Sequence, residues 1–288
     1  MYGISEQALW TARQHELLTA DFRASGIDPT QFGFFDQPAF LAREHSHVDY
    51  LTSYAEWVVT RPISADYAAH VTATVPKLSQ LLAYALADHG AWGCCVGASN
   101  MMMRMLDLLH VWSFCIFGSV VIEAPALGLR RAIRTVGFKS NPQNIVGHTW
   151  ICAPPFLIVD TTLALQNWDA AISPLVPELV LADARAPRVY AQVSDYLNED
   201  IRAFFARREG WHDPNLHFRL NPKLPGVLTR FPAREVTTRD IRVRFVPVMI
   251  RQPAETLAQI EVDDQRLSGR AMWNDVVGPA FCMPPLPR

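Results

Sequence analysis

No part of this 288-residue chain is long and apolar enough to cross a bilayer as a helix. The uncharged, Val/Ile/Phe-rich stretch 108–122 is about fifteen residues, against roughly twenty needed. Charge of one sign is also lacking: a formal net charge of −2 and a sequence pI near 6.5 give no electrostatic reason to expect nucleic acid or an anionic membrane as a partner. Cysteine is scarce. The five residues Cys94, Cys95, Cys115, Cys152 and Cys282 are odd in number and lack framework spacing, and neighbours such as Cys94 and Cys95 seldom bridge without strain. A reducing, cytoplasmic setting is therefore expected. The first twenty residues interleave Glu6, Arg13, His15 and Glu16 with apolar positions, unlike a cleaved secretory signal. With no Gly-rich phosphate loop and no Cys-x-x-Cys pair, nucleotide and zinc chemistry are disfavoured, and neither a cofactor nor a metal is expected. His45, His47 and Asp49 have the spacing of metal ligands on a strand, but the surrounding pattern is helical and they read as solvated polar residues.

Half of the chain is apolar, enough for a sizeable core. Residues 6–22, 38–59 and 75–87 read as helices, the third most clearly, with Leu78, Leu81, Leu82, Ala85 and Leu86 on one face and Asp88-His89-Gly90 as its stop. Another helix is expected over 94–110. Its apolar stripe of Cys95, Met102, Leu106 and Leu109 is widened by Met101, Met103, Met105 and Leu108, which makes it a central, mostly buried helix. Residues 114–124 and 129–139 read as strands, followed by a hairpin across 145–160. Beyond it, 187–208 looks helical, 221–226 is a loop by composition, 241–250 alternates as a strand, and the Pro-rich 283–288 is a tail. Helices first, then a helix followed by consecutive strands, predict an α+β fold whose mostly antiparallel sheet packs on the Cys-bearing helix.

The hairpin carries the chemistry. Strand periodicity puts His148, Trp150 and Cys152 on one face of its first arm, and Phe156, Ile158 and Asp160 on one face of the second. A turn centred on Pro154, with an odd loop, makes His148 and Asp160 direct cross-strand neighbours; a two-residue Pro154-Pro155 loop throws them onto opposite faces. An imidazole oriented by a carboxylate is half of a catalytic triad. Upstream, Ala91-Trp92-Gly93-Cys94-Cys95 places a thiol pair at a helix start, where thiolate is favoured over thiol. Taken singly, Cys94, Cys115, Cys152 and Cys282 each read as core or incidental, because free cysteine is among the most buried residue types.

Gly93-Cys94-Cys95 with Ser99 four residues on, His148-Thr149-Trp150, and Val159-Asp160-Thr161-Thr162 together resemble the Cys, His, Asp core of the transglutaminase-like superfamily. The likeness covers roughly residues 90–165. It departs from the family pattern at Thr161, where Pro is frequent, and at His110, where Gly commonly ends the Cys helix. The resemblance implies a papain-like α+β core with the nucleophile at the N-terminus of the central helix and His and Asp on neighbouring strands. It also implies acyl transfer through a thioester, as in the peptidases, deamidases and cross-linking enzymes of that superfamily. Cys95 fits the Gly-x-Cys spacing and the helix register, with Cys94 as the alternative nucleophile; His148 is the acid/base and Asp160 its orienter. Trp150 would shield the pair and Trp92 would wall a substrate channel.

Three regions are expected: a helical 1–89, a catalytic core over 90–168 and an α/β extension over 169–288, packed as one globular unit. A protein or peptide is the expected substrate. Two other classes share these features: an acyltransferase resembling arylamine N-acetyltransferases, and an inert binding or scaffolding module built on the same fold.

Overall fold

The computed structural model describes residues 6–135, 147–238, 240–262 and 267–287. Four helices lead: α1 (Glu6–Ala24), α2 (Pro38–Ser46), α3 (Tyr50–Thr60) and α4 (Ala65–Asp88). The helix expected over 38–59 is thus two, interrupted at 47–49, where His47 closes α2 and Asp49 opens α3. Helix α4 begins earlier than expected, at a Ser64 cap whose hydroxyl accepts from the Tyr67 N–H, and continues through Pro76. Its buried Val71, Val75, Leu78, Leu82 and Leu86 follow helical spacing along one face.

Helix α5 (Cys95–Leu108) is the central helix. Met101, Met102, Met103, Met105 and Leu106 are all buried, so the widened apolar stripe marks a helix enclosed on most sides. It ends at His110, which adopts the left-handed φ of 57° that glycine would take, while Val111 N–H reaches back to Leu106 C=O at 2.8 Å. Arg104, buried on the same helix, pairs with Asp36 and donates to the carbonyls of Pro253 and Glu255 at 3.0 and 2.9 Å. One guanidinium thereby ties α5 to both the N-terminal helices and the C-terminal segment.

The sheet is antiparallel throughout. Its strands are β1 (Phe114–Ala124), β2 (Leu129–Ile133), β3 (His148–Ala153), β4 (Phe156–Asp160), β5 (Val180–Asp183), β6 (Arg234–Thr237) and β7 (Arg242–Arg251). The order is β5-β4-β3-β1-β7-β6; β2 pairs with the second half of β1 beyond β3. After β5 the chain turns onto the free edge of β6, where Val189 N–H bonds Ala233 C=O and Glu235 N–H bonds Pro187 C=O, so the sheet nearly closes on itself. The strand expected over 129–139 is β2 up to Ile133; residues 136–139 lie outside the described residues, as does the start of the hairpin.

Between β5 and β6 lie the helices α6 (Val193–Tyr196), α7 (Glu199–Glu209), α8 (Leu216–Leu220) and α9 (Leu224–Arg230). Only part of 187–208 is therefore helical, and the loop expected over 221–226 gives way to α9 at Leu224, where Pro225 occupies the first turn, in which its missing N–H costs no hydrogen bond. A main core runs from Phe22 to Val277, and a smaller cluster around Tyr196, Ile201 and Leu216 sits beside it. The C-terminal stretch is not a free tail: Trp273 Nε1 donates to Pro284 C=O, and Leu286 N–H to Asn274, at 3.0 and 2.8 Å. No helix among the described residues is long and apolar enough to cross a membrane.

Candidate active site

Helix α5 and the β3–β4 hairpin bring Cys95, His148 and Asp160 together. The odd loop required for direct cross-strand pairing is absent. Ala153 pairs with Phe156, so the turn is Pro154-Pro155 alone, which by itself would send His148 and Asp160 to opposite faces. One step farther from the turn, Ile151 pairs with Val159, and β4 has gained one residue relative to β3. The opposite edge of β4 registers the same insertion, between Phe156↔Asp183 and Ile158↔Ala182. This bulge restores the parity that the turn removes. Continuing the register sets Asp160 opposite Trp150 and makes His148 its diagonal neighbour on the same face, a separation that the two side chains bridge with a hydrogen bond of 2.7 Å from Nε2 to Oδ2.

Both side chains are fully buried. The second carboxylate oxygen of Asp160 accepts from the backbone N–H and hydroxyl of Thr162, at 2.9 and 3.1 Å, so the carboxylate is held from both ends. The other ring nitrogen of His148, Nδ1, is buried with no hydrogen-bond partner among the described residues. The Cys95 sulfur lies near enough to this imidazole for the two groups to shift each other's titration.

Cys95 is the first residue of α5 and is 4% exposed. Burial by itself pushes its thiol up. The hydrogen bond and charge of His148 and the Thr149 backbone outweigh that, against an opposing push from Asp160, and the thiol titrates below its ordinary value. The helix N-terminus acts in the same direction. For His148, burial opposes protonation, but the charge and hydrogen bond of Asp160, helped by Cys95, raise the imidazole to about 10. Both shifts run in the same sense, favouring a thiolate beside an imidazolium. Cys94 is turned elsewhere: it is the residue preceding the helix, and its Sγ contacts the Ala91 carbonyl at 3.1 Å.

The surrounding residues fix this geometry. Ser99, one turn along α5, donates its hydroxyl to the Thr149 carbonyl at 3.1 Å, locking the helix to the strand beside His148. Trp150 is 1% exposed and lies nearly parallel to the His148 ring, with centroids 6.5 Å apart, whereas Trp92 is 64% exposed. Gly118 is the β1 partner of His148; a Cβ there would sit 2.1 Å from the Val246 carbonyl and 2.8 Å from the Trp150 ring. The strand approaches this closely only because the residue has no side chain. Gly118 is the contributor that motif spacing did not single out, and Thr162, which lies within the Asp motif, has no role assigned by it. A glycine inside a Val/Ile-rich strand is the signal that points to Gly118, and an Asp-x-Thr at a strand end the one that gives Thr162 its role.

His45, His47 and Asp49 do not converge: His45 lies within α2, His47 closes that helix and Asp49 pairs with Lys223 at 3.0 Å. No cluster of three metal-ligating side chains occurs among the described residues. No family model, curated protein or solved structure matches this chain.

Proposed function

We propose that this chain is a cysteine-dependent acyl-transfer enzyme acting on an amide through a thioester, with Cys95 as nucleophile, His148 as acid and base, and Asp160 as orienter. The observation that carries this reading is a fully buried imidazole bonded to Asp160 through Nε2, its Nδ1 unpartnered among the described residues, beside a thiol at a helix N-terminus whose titration it shifts downward. The Cys95 thiolate adds to the carbonyl carbon of the amide. Backbone N–H groups of the first turn of α5, which have no intrahelical acceptor, are placed to take the developing oxyanion. Collapse of the adduct breaks the C–N bond as Nδ1–H of His148 protonates the departing amine, leaving an acyl-Cys95 thioester and a neutral imidazole. His148 then removes a proton from water or from an acceptor amine as it attacks the thioester, and the thiolate–imidazolium pair is regenerated. Water as acceptor gives hydrolysis or deamidation, an amine gives cross-linking, and a peptide or protein amide is the substrate class. Asp160 keeps Nδ1 directed at sulfur and stabilises the cation.

The test is iodoacetamide labelling across pH with the modified cysteine assigned by mass spectrometry. Cys95 is expected to react below about pH 7, and His148→Ala to abolish that reaction while Cys282, which is exposed, goes on reacting unchanged. Labelling of Cys95 that is unaffected by His148→Ala, or modification of Cys282 with Cys95 inert at every pH, would overturn the reading and favour a non-enzymatic module.

A further inference from the structure

The nearly closed sheet surrounds a cavity of about 570 Å³, within the roughly 300–1,000 Å³ typical of small-molecule sites. Its apolar walls include Ile116, Trp150, Ile158 and Phe245, and none of Cys95, His148 and Asp160 lines it. Three arginines do. Arg230 is engaged by Glu56 at 3.1 Å, and Arg188 lies exposed at the rim, next to Arg234 across an antiparallel bridge. Arg234 is different. It is 9% exposed and has no carboxylate within ion-pairing distance among the described residues. Its Nη1 donates to the carbonyls of Ala184 and Ala186, at 3.4 and 2.5 Å, while Nε and Nη2 have no hydrogen bond there. The nearby carboxylate, Asp183, is held by Arg185. Buried cations are ordinarily paired, and a guanidinium with a free edge matches a planar anion with two parallel hydrogen bonds.

We propose that this cavity is a binding site for a small amphipathic carboxylate. Its apolar body lies against Trp150, Phe245 and Ile158, and its head group pairs with the free edge of Arg234, with Arg188 adding attraction at the entrance. A single buried unpaired charge calls for a monoanion, and the apolar walls call for a hydrocarbon or aryl body. Because Trp150 lies between this cavity and the His148 ring, ligand occupancy is reported by its fluorescence.

The experiment titrates the full chain with decanoate, decanol and acetate, by calorimetry and tryptophan fluorescence. Decanoate is expected to bind with 1:1 saturation, and both decanol and acetate at least tenfold more weakly. Arg234→Met should weaken decanoate tenfold or more and leave decanol unchanged. Arg188→Gln, at an exposed position, should weaken decanoate a few-fold, which keeps the proposal testable if the buried variant fails to fold. Leu157→Trp, which fills the cavity, should abolish binding. Equal affinity for decanoate and decanol, insensitivity to both arginine variants, or undiminished binding by Leu157→Trp would each overturn the proposal.

Discussion

Two buried histidines in this protein show opposite electrostatics. His148, between α5 and β4, is held protonated up to about pH 10; His217, in the small cluster beside the main core, is pushed below its ordinary value. Burial acts in the same direction on both, against the charged form. The difference lies in what the nearby carboxylate is doing. Asp160 accepts directly from His148 and, among the described residues, is otherwise engaged only by Thr162. Asp195, near His217, is bound by Arg130 and Arg244 at 2.8 and 3.2 Å and by the Gln192 N–H. Both nitrogens of His217 lack a partner among the described residues, and its ring stacks on Tyr196 at 5.1 Å. A carboxylate held by arginines and not hydrogen-bonded to the ring raises a buried imidazole too little to offset burial; one that accepts directly from the ring inverts its titration.

Asp160→Ala is the most direct way to break this contrast. It turns His148 into a second unpaired buried histidine and should cost about 3 kcal/mol or more in urea unfolding at neutral pH, with loss of the low-pH labelling of Cys95. A cost under about 1 kcal/mol would mean that the pair contributes little.

Cys95→Ala sharpens the contrast through pH. Once Cys95 has ionised beside a protonated His148, the folded pair holds one proton. Between the ordinary values of 6.5 for imidazole and 9.0 for thiol, the unfolded chain also holds one, on sulfur, so this pair adds no slope to stability there. Without the thiol, the folded chain keeps the His148 proton that the unfolded chain has lost. The raised imidazole then contributes stability that is full below pH 6.5 and declines as pH rises toward the folded value. Unfolding free energy of Cys95→Ala, relative to the native chain, should fall by up to about 1.4 kcal/mol per pH unit above 6.5. A flat difference would show that His148 is neutral.

The smallest effect belongs to His217→Phe. Because the folded value is depressed, neutral His217 contributes stability that is present above pH 6.5 and lost as pH falls. Replacing it by an apolar ring that still stacks on Tyr196 should change stability by less than about 1 kcal/mol at pH 7, and the variant should gain on the native chain as pH is lowered to 5. Growing relative instability in acid would instead identify a proton partner for His217.

Much of the architecture was legible beforehand. Strand β1 was read with its observed bounds, and helix α5 from its apolar stripe within two residues at either end. Less legible was whatever depends on a neighbour outside the local sequence. The broken helix over 38–59 carries no Pro or Gly at its break, and α4 continues through a proline that local rules take as a boundary. Around the site, residue types and chain order pointed to Cys95, His148 and Asp160, but the hairpin register was misjudged. Pro154-Pro155 announces a turn without announcing that β4 carries an extra residue.

The sequence by itself determined the ingredients: a thiol at the start of an apolar helix, a histidine at the head of one strand and an aspartate at the end of the next, because these follow from periodicity and caps that act within a few residues. Tertiary structure decided which of the paired cysteines faces the imidazole, how a bulge returns His148 and Asp160 to one face, and where an arginine is buried beside an apolar cavity with no counter-ion among the described residues. Those outcomes depend on long-range register, burial and the balance of charges from distant strands, and none of them is set by neighbours in the chain.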